Sequence, residues 1–96
     1  MKTKTEIQEI LREHKQELFQ KYPLQEIGIF GSYTKDEQTT GSDIDILVDY
    51  DKPMGIEFID LANELESLLG TKVDLVSKQG IAGKYLQHIQ SNLMYV

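Results

Sequence analysis

Residues 41–51 read GSDIDILVDYD, an apolar, β-branched run with two aspartates at its entrance and two more at its exit. Such a run reads as a strand, and strand side chains alternate, so Asp43, Asp45 and Leu47 share one face while Ile44, Ile46 and Val48 share the other. The first two carboxylates therefore point the same way, with Cα atoms about 6.5–7 Å apart by strand rise. Unpaired, they would repel by roughly 2–3 kcal/mol at an effective dielectric near 20. Either water solvates them or a cation gathers them, and a divalent ion held by hard carboxylate oxygens reverses the sign of the interaction.

The rest of the chain arranges itself around that strand. In TKTEIQEILREHKQELFQKYP, Ile7, Ile10, Leu11, Leu18 and Tyr22 fall at helical spacing, with Thr3/Glu6 or Thr5/Gln8 as a capping box and Pro23 as the stop. LQEIGIFGS reads as a strand ended by Gly31-Ser32, and YTKDEQTTGS as a polar loop. From Ile56 to Leu69 the apolar positions Ile56, Ile59, Ala62, Leu65, Leu68 and Leu69 suggest one face of an amphipathic helix. Glu57, Asp60, Glu64 and Glu66 would form its solvated side, and Gly70 closes it. TKVDLVS is a third short strand, and GIAGKYLQHIQSNLMYV a last helix carrying Ile81, Tyr85, Leu86, Ile89 and Leu93. The order α, β, loop, β, α, β, α predicts a single α/β domain over residues 1–96, a small mixed sheet flanked by helices. About a dozen residues join the first two strands, the lower limit for a parallel crossover, so an antiparallel pair is expected. That pairing would set Gly31-Ser32 beside Asp43.

A third carboxylate, Asp74, interrupts the apolar strand VDLV, where aspartate is disfavoured. If the third strand lies beside the second, Asp43, Asp45 and Asp74 form one cluster, suited to a two-metal site for phosphoryl or nucleotidyl transfer. Glycine at 31 lets backbone approach a phosphate, and the Ser32 hydroxyl can hold its oxygens. Lys35, in the same loop, could touch a triphosphate. Taken singly, each feature has a plainer reading: a solvated strand face, a turn, an edge charge that blocks aggregation, a loop lysine. Taken together they fall on the strand positions one site requires. Leu47 stands where an EF-hand would need an oxygen ligand, which excludes that motif. His14, His88 and the five tyrosines are read as structural.

Composition narrows the class. With 96 residues, no cysteine and 40% hydrophobic residues the chain reads as one soluble globular domain. No apolar run approaches the roughly 20 residues that span a bilayer, and MKTKTEIQEI has no signal-peptide core, so a cytoplasmic location is expected. The net charge of −6 sits mostly in residues 23–70, which sum to −9. That balance argues against nucleic-acid binding through a broad basic face. It leaves room for a nucleotide held through a divalent cation.

Gly31-Ser32, ten residues, Asp43-Ile44-Asp45 and a distal Asp74 resemble the signature of the DNA polymerase β-like nucleotidyltransferase superfamily. The flanking IGIFGSYTK and SDIDILVDY look most like its minimal members, the MntA-type antitoxins paired with HEPN toxins. The resemblance implies that Asp43, Asp45 and Asp74 hold two Mg²⁺ ions, that Asp74 helps activate an acceptor hydroxyl, and that Gly31 and Ser32 hold the triphosphate of ATP. It also implies transfer of AMP to a tyrosine of a HEPN ribonuclease toxin encoded beside it, in a hetero-oligomer that the tail LMYV could join. A competing reading is a non-catalytic antitoxin that works by occlusion. The loop departs from the family's Ala-basic-Gly pattern: Thr34 replaces Ala, Lys35 keeps the base, and Asp36 replaces Gly.

Overall fold

The structure is a computed structural model and describes residues 2–96. Helix α1 (Lys4–Lys21) starts on a capping box in which the Thr3 side chain accepts from the Glu6 amide and Glu6 accepts from the Thr3 amide. It ends before Pro23, as the missing proline donor requires. Strands β1 (Leu24–Phe30) and β2 (Ile44–Tyr50) follow, then α2 (Ile56–Leu69), closed by Gly70 in the left-handed region. Strand β3 (Val73–Ser77), helix α3 (Gly83–Gln90) and strand β4 (Met94–Tyr95) complete the chain.

The four strands form one sheet in the order β3-β2-β1-β4. β1 pairs antiparallel with β2, and β2 pairs parallel with β3 through the α2 crossover. Alternation then splits the side chains between two layers. Ile27, Ile29, Ile44, Ile46 and Val48 face α1 and α2 and bury against Ile7, Leu11, Leu18, Leu61, Leu65 and Leu69. Phe30 and Leu47 face the other way and pack on Ile89 of α3. The mixed α/β architecture expected from the sequence is the one the chain adopts.

Three local expectations are corrected. The last helix stops at Gln90, and residues 93–96 are no exposed tail: Met94 and Tyr95 add a fourth strand to the free edge of β1. A turn at Ser91-Asn92 reverses the chain, and Gly28 opposite Tyr95 lets it approach, since a Cβ there would come within 2.8 Å of Leu93 Cδ1. Lys15 Nζ donates to the Val96 carbonyl at 2.8 Å and Gln8 to that of Tyr95 at 3.2 Å, tying the strand to α1.

The buried stripe of α2 is also rotated from the expected one. It is Leu61, Leu65 and Leu69, spaced by four, while Ile56 and Ile59 are 71% and 60% exposed. At 3.6 residues per turn Ile56 lies opposite Leu65, so the Ile56/Ile59 pair cannot share the core with the leucines. Finally, Glu64 and Glu66 are not a merely solvated face. Glu64 accepts from the Tyr22 hydroxyl and Lys21, and Glu66 accepts from the Val73 amide, pinning the start of β3. Leu65→Ala is accordingly expected to cost about 2–5 kcal/mol in urea unfolding, whereas Ile56→Ser should stay within about 0.5 kcal/mol. No helix among the described residues is long and apolar enough to cross a membrane.

Candidate functional site

The site lies where β1 ends and β2 and β3 begin. Antiparallel register sets Phe30 opposite Asp45, and parallel register sets Asp45 beside Asp74. Adjacent strands run about 4.8 Å apart, so the two carboxylates rise from neighbouring backbones on the α3 side of the sheet. Ile44 and Ile46, fully buried on the opposite face, fix which way Asp45 points. A register slip of one residue would invert the arrangement.

Immediately after Phe30 the chain enters a single 3₁₀ turn, Gly31–Tyr33, anchored by the buried Tyr33 ring. Gly31 has φ +78°, and a Cβ on it would overlap the Asp45 carboxylate. Glycine is therefore required twice over, by backbone conformation and by contact. The loop closes on itself: the Thr34 hydroxyl donates to the Gly31 carbonyl at 2.8 Å, and the amides of Lys35 and Glu37 donate to the Ser32 carbonyl at 3.2 and 2.9 Å. Asp36, where the family pattern has glycine, adopts φ +57°. Aspartate tolerates the left-handed region better than most residues, and here Lys4 holds its carboxylate at 3.2 Å. The loop keeps its turn without the glycine.

Gly31, Lys35, Asp45 and Asp74 line one open cavity of about 220 Å³. Ser32 and Asp43 do not line it. Asp43 lies in the chain just before β2, exposed, and among the described residues its carboxylate has no hydrogen-bond partner. It is still close enough for Asp45 to feel its charge. Burial pushes the Asp45 carboxyl up to about 6, with the charges of Asp74 and Asp43 and hydrogen bonding to Asp74 adding to the rise. Asp45 thus sits in a field of neighbouring carboxylates that a hard divalent cation would relieve. No group of three acidic or histidine side chains among the described residues is drawn together as a ready-made metal cage.

That raised pKa has a consequence for stability. Between the unfolded value of 3.8 and the folded value of about 6 the native state holds the extra proton, so stability falls as pH rises through this window and levels off above it. The carboxyl is half-buried, so screening reduces the effect to the order of 1 kcal/mol. The difference in unfolding free energy between the unaltered chain and Asp45→Asn, followed by denaturation from pH 4 to 7, should show that slope. Addition of Mg²⁺ should flatten it.

Two residues that the sequence reads as structural, Tyr85 and His88, stand on the cavity wall together with Asn92, to which the sequence assigns no role. All three line it beside Ile89 of α3. The available signal was a spacing of three to four residues in the last helix, but the same spacing fits a core stripe, and Tyr85 was assigned there. The structure exposes it.

Comparison with known proteins agrees with this geometry. The nucleotidyltransferase domain family matches residues 11–94. A Methanocaldococcus jannaschii chain provisionally named a protein adenylyltransferase is 50% identical over 98 residues, spanning 100% of both chains. Among solved structures, a toxin–antitoxin crystal structure with AMP-PNP superposes with a TM-score of 0.69 at 32% identity, covering 95% of this chain and 69% of that one. A Shewanella oneidensis complex described as a tri-AMPylated HEPN toxin with an MNT antitoxin gives a TM-score of 0.69 at 30% identity, over 93% of this chain and 70% of that one. Residue pattern, sheet register and relatives converge on one conclusion: the chain belongs to the minimal nucleotidyltransferases, a family of nucleotidyl-transferring enzymes.

Proposed function

We propose that this enzyme is an antitoxin that transfers AMP from ATP to a tyrosine hydroxyl of a HEPN ribonuclease toxin, silencing it covalently. The observation that carries the reading is the register pairing of Asp45 with Asp74 directly against Gly31. Support also comes from the relatives, one bound to a nucleotide analogue and one complexed with an AMPylated toxin.

Asp43, Asp45 and Asp74 would hold Mg²⁺, which when bound neutralises charge on the α-phosphate and on the departing pyrophosphate. Gly31 would hold the triphosphate against the end of β1, with Ser32 beside it in the same turn but off the cavity wall, and Lys35, exposed on that wall, would meet its outer oxygens. Asp74, on the exposed side of β3, accepts the proton of the incoming hydroxyl. The hydroxyl oxygen bonds to the α-phosphorus as the bond to the β-phosphate oxygen breaks, and pyrophosphate leaves. Asp45, half-buried between Asp74 and Gly31, would be the inner of the carboxylates that hold the ion beside the reacting phosphate.

The toxin's own ribonuclease activity separates this from simple occlusion. Toxin incubated with the chain, ATP and Mg²⁺, then freed of the chain under mild denaturant and refolded, should stay inactive. Recovery of full activity after separation would instead mean that silencing required only contact.

A further inference from the structure

Four positions at the end of the chain, Tyr85, His88, Ile89 and Asn92, form the cavity wall that faces the carboxylates. Tyr85, His88 and Ile89 share one face of α3, and Asn92 follows in the turn after it, its Nδ2 donating to Ser91 Oγ at 3.0 Å. Ile89 is the anchor, 5% exposed and packed on Phe30 and Leu47, so it fixes the rotation of α3 and turns Tyr85 and His88 toward the cavity. Tyr85 is 55% exposed, and neither its hydroxyl nor the His88 ring has a hydrogen-bond partner among the described residues. The other tyrosines have structural work. Tyr22 and Tyr33 are buried, the Tyr50 hydroxyl accepts from Ser77 at 3.0 Å, and Tyr95 pairs in β4.

The cavity, about 220 Å³, is smaller than the roughly 300–1,000 Å³ of sites that enclose a small ligand. It can enclose part of a nucleoside triphosphate and must leave the rest along its open side. Gly31, Lys35 and the aspartates occupy the half suited to phosphates. The remaining wall offers a tyrosine ring, an imidazole and a carboxamide, the groups that stack on a base and bond to its edge.

We infer that this wall is the nucleobase subsite, with Tyr85 stacking on the base of the bound nucleotide and His88 and Asn92 facing the base edge. This rests on the reading of the site as one for a nucleoside triphosphate, and deepens it. Neither the phosphates nor the carboxylates depend on Tyr85, so base binding and phosphate binding can be separated by choice of probe.

The test is calorimetric titration of the full chain in Mg²⁺ with ATP and, in parallel, with inorganic tripolyphosphate, which has no base. Tyr85→Ala should weaken ATP binding by roughly tenfold or more and leave tripolyphosphate binding unchanged, with the far-UV circular dichroism of the unaltered chain. Tyr85→Phe, which keeps the ring, should bind ATP like the unaltered chain. Equal loss for both ligands would mark Tyr85 as structural and overturn the inference. So would unchanged ATP binding with slower transfer to the protein acceptor, which would place this wall on the acceptor side. If the unaltered chain binds neither ligand, the reading of the site as a nucleotide site fails first, and this subsite with it.

Discussion

Replacing Asp45 by asparagine is expected to silence nucleotidyl transfer while leaving the fold more stable at neutral pH. The two effects have one origin. Asp45 sits half-buried beside Asp74 and within reach of the charge on Asp43, and its carboxyl is pushed up to about 6. Above that pH the folded chain carries a charge it would rather not, and Asn removes it at nearly constant volume. The gain should be on the order of 1 kcal/mol at pH 7 after allowance for solvent screening. Activity should move the other way, because charge stabilisation by a held metal is worth several kcal/mol, and about 4 kcal/mol corresponds to roughly a thousandfold in rate. Urea unfolding and a transfer assay on the same preparation check both. An Asp45→Asn chain less stable than the parent at pH 7 would mean that the carboxylate is a structural asset, not a site held at a cost.

Gly31→Ala should damage both properties at once. The left-handed φ of +78° costs a residue with a Cβ roughly 1–2 kcal/mol. That Cβ would also overlap the Asp45 carboxylate, so the turn or the aspartate must shift. A displacement of about 1 Å at a reacting centre costs on the order of a hundredfold in rate. Gly41→Ala is the control, since a Cβ there has nothing within 4 Å. A Gly31→Ala chain with parental transfer rates would show that the close approach of the turn to Asp45 does not matter to the chemistry.

The central strands and the site were legible from the sequence for the same reason. A β-branched run with alternating aspartates admits one register, and a loop of about a dozen residues after Gly31-Ser32 admits an antiparallel return. Asp45 and Asp74 thus meet as expected, but Gly31 lies against Asp45 and not Asp43, and Asp43 and Ser32 stay off the cavity wall. What periodicity could not resolve was which side of a helix faces inward when apolar residues surround it. Ile56 and Ile59 are as hydrophobic as Leu61 and Leu65, and only the tertiary position of α2 against the sheet decides between them. The end of the chain misled for a related reason. Ile89 and Leu93 keep helical spacing, but the free edge of β1 and the turn at Ser91-Asn92 claim Met94 and Tyr95 for the sheet. Tyr85, His88 and Asn92 were missed as cavity residues because helical spacing alone does not distinguish a stripe facing a core from one facing a ligand. Asp36 could not be read either, since residue spacing gives no sign of its left-handed φ of +57°.

The most direct test is transfer of label from ATP to the proposed HEPN toxin partner in Mg²⁺, run with label on the α-phosphate and, separately, on the γ-phosphate. α-Label is expected on a tyrosine of that partner, with no γ-label, and Asp43→Ala/Asp45→Ala should lose both labelling and silencing. A partner that is silenced without acquiring α-label, or that acquires it equally from the double variant, would contradict the proposed function.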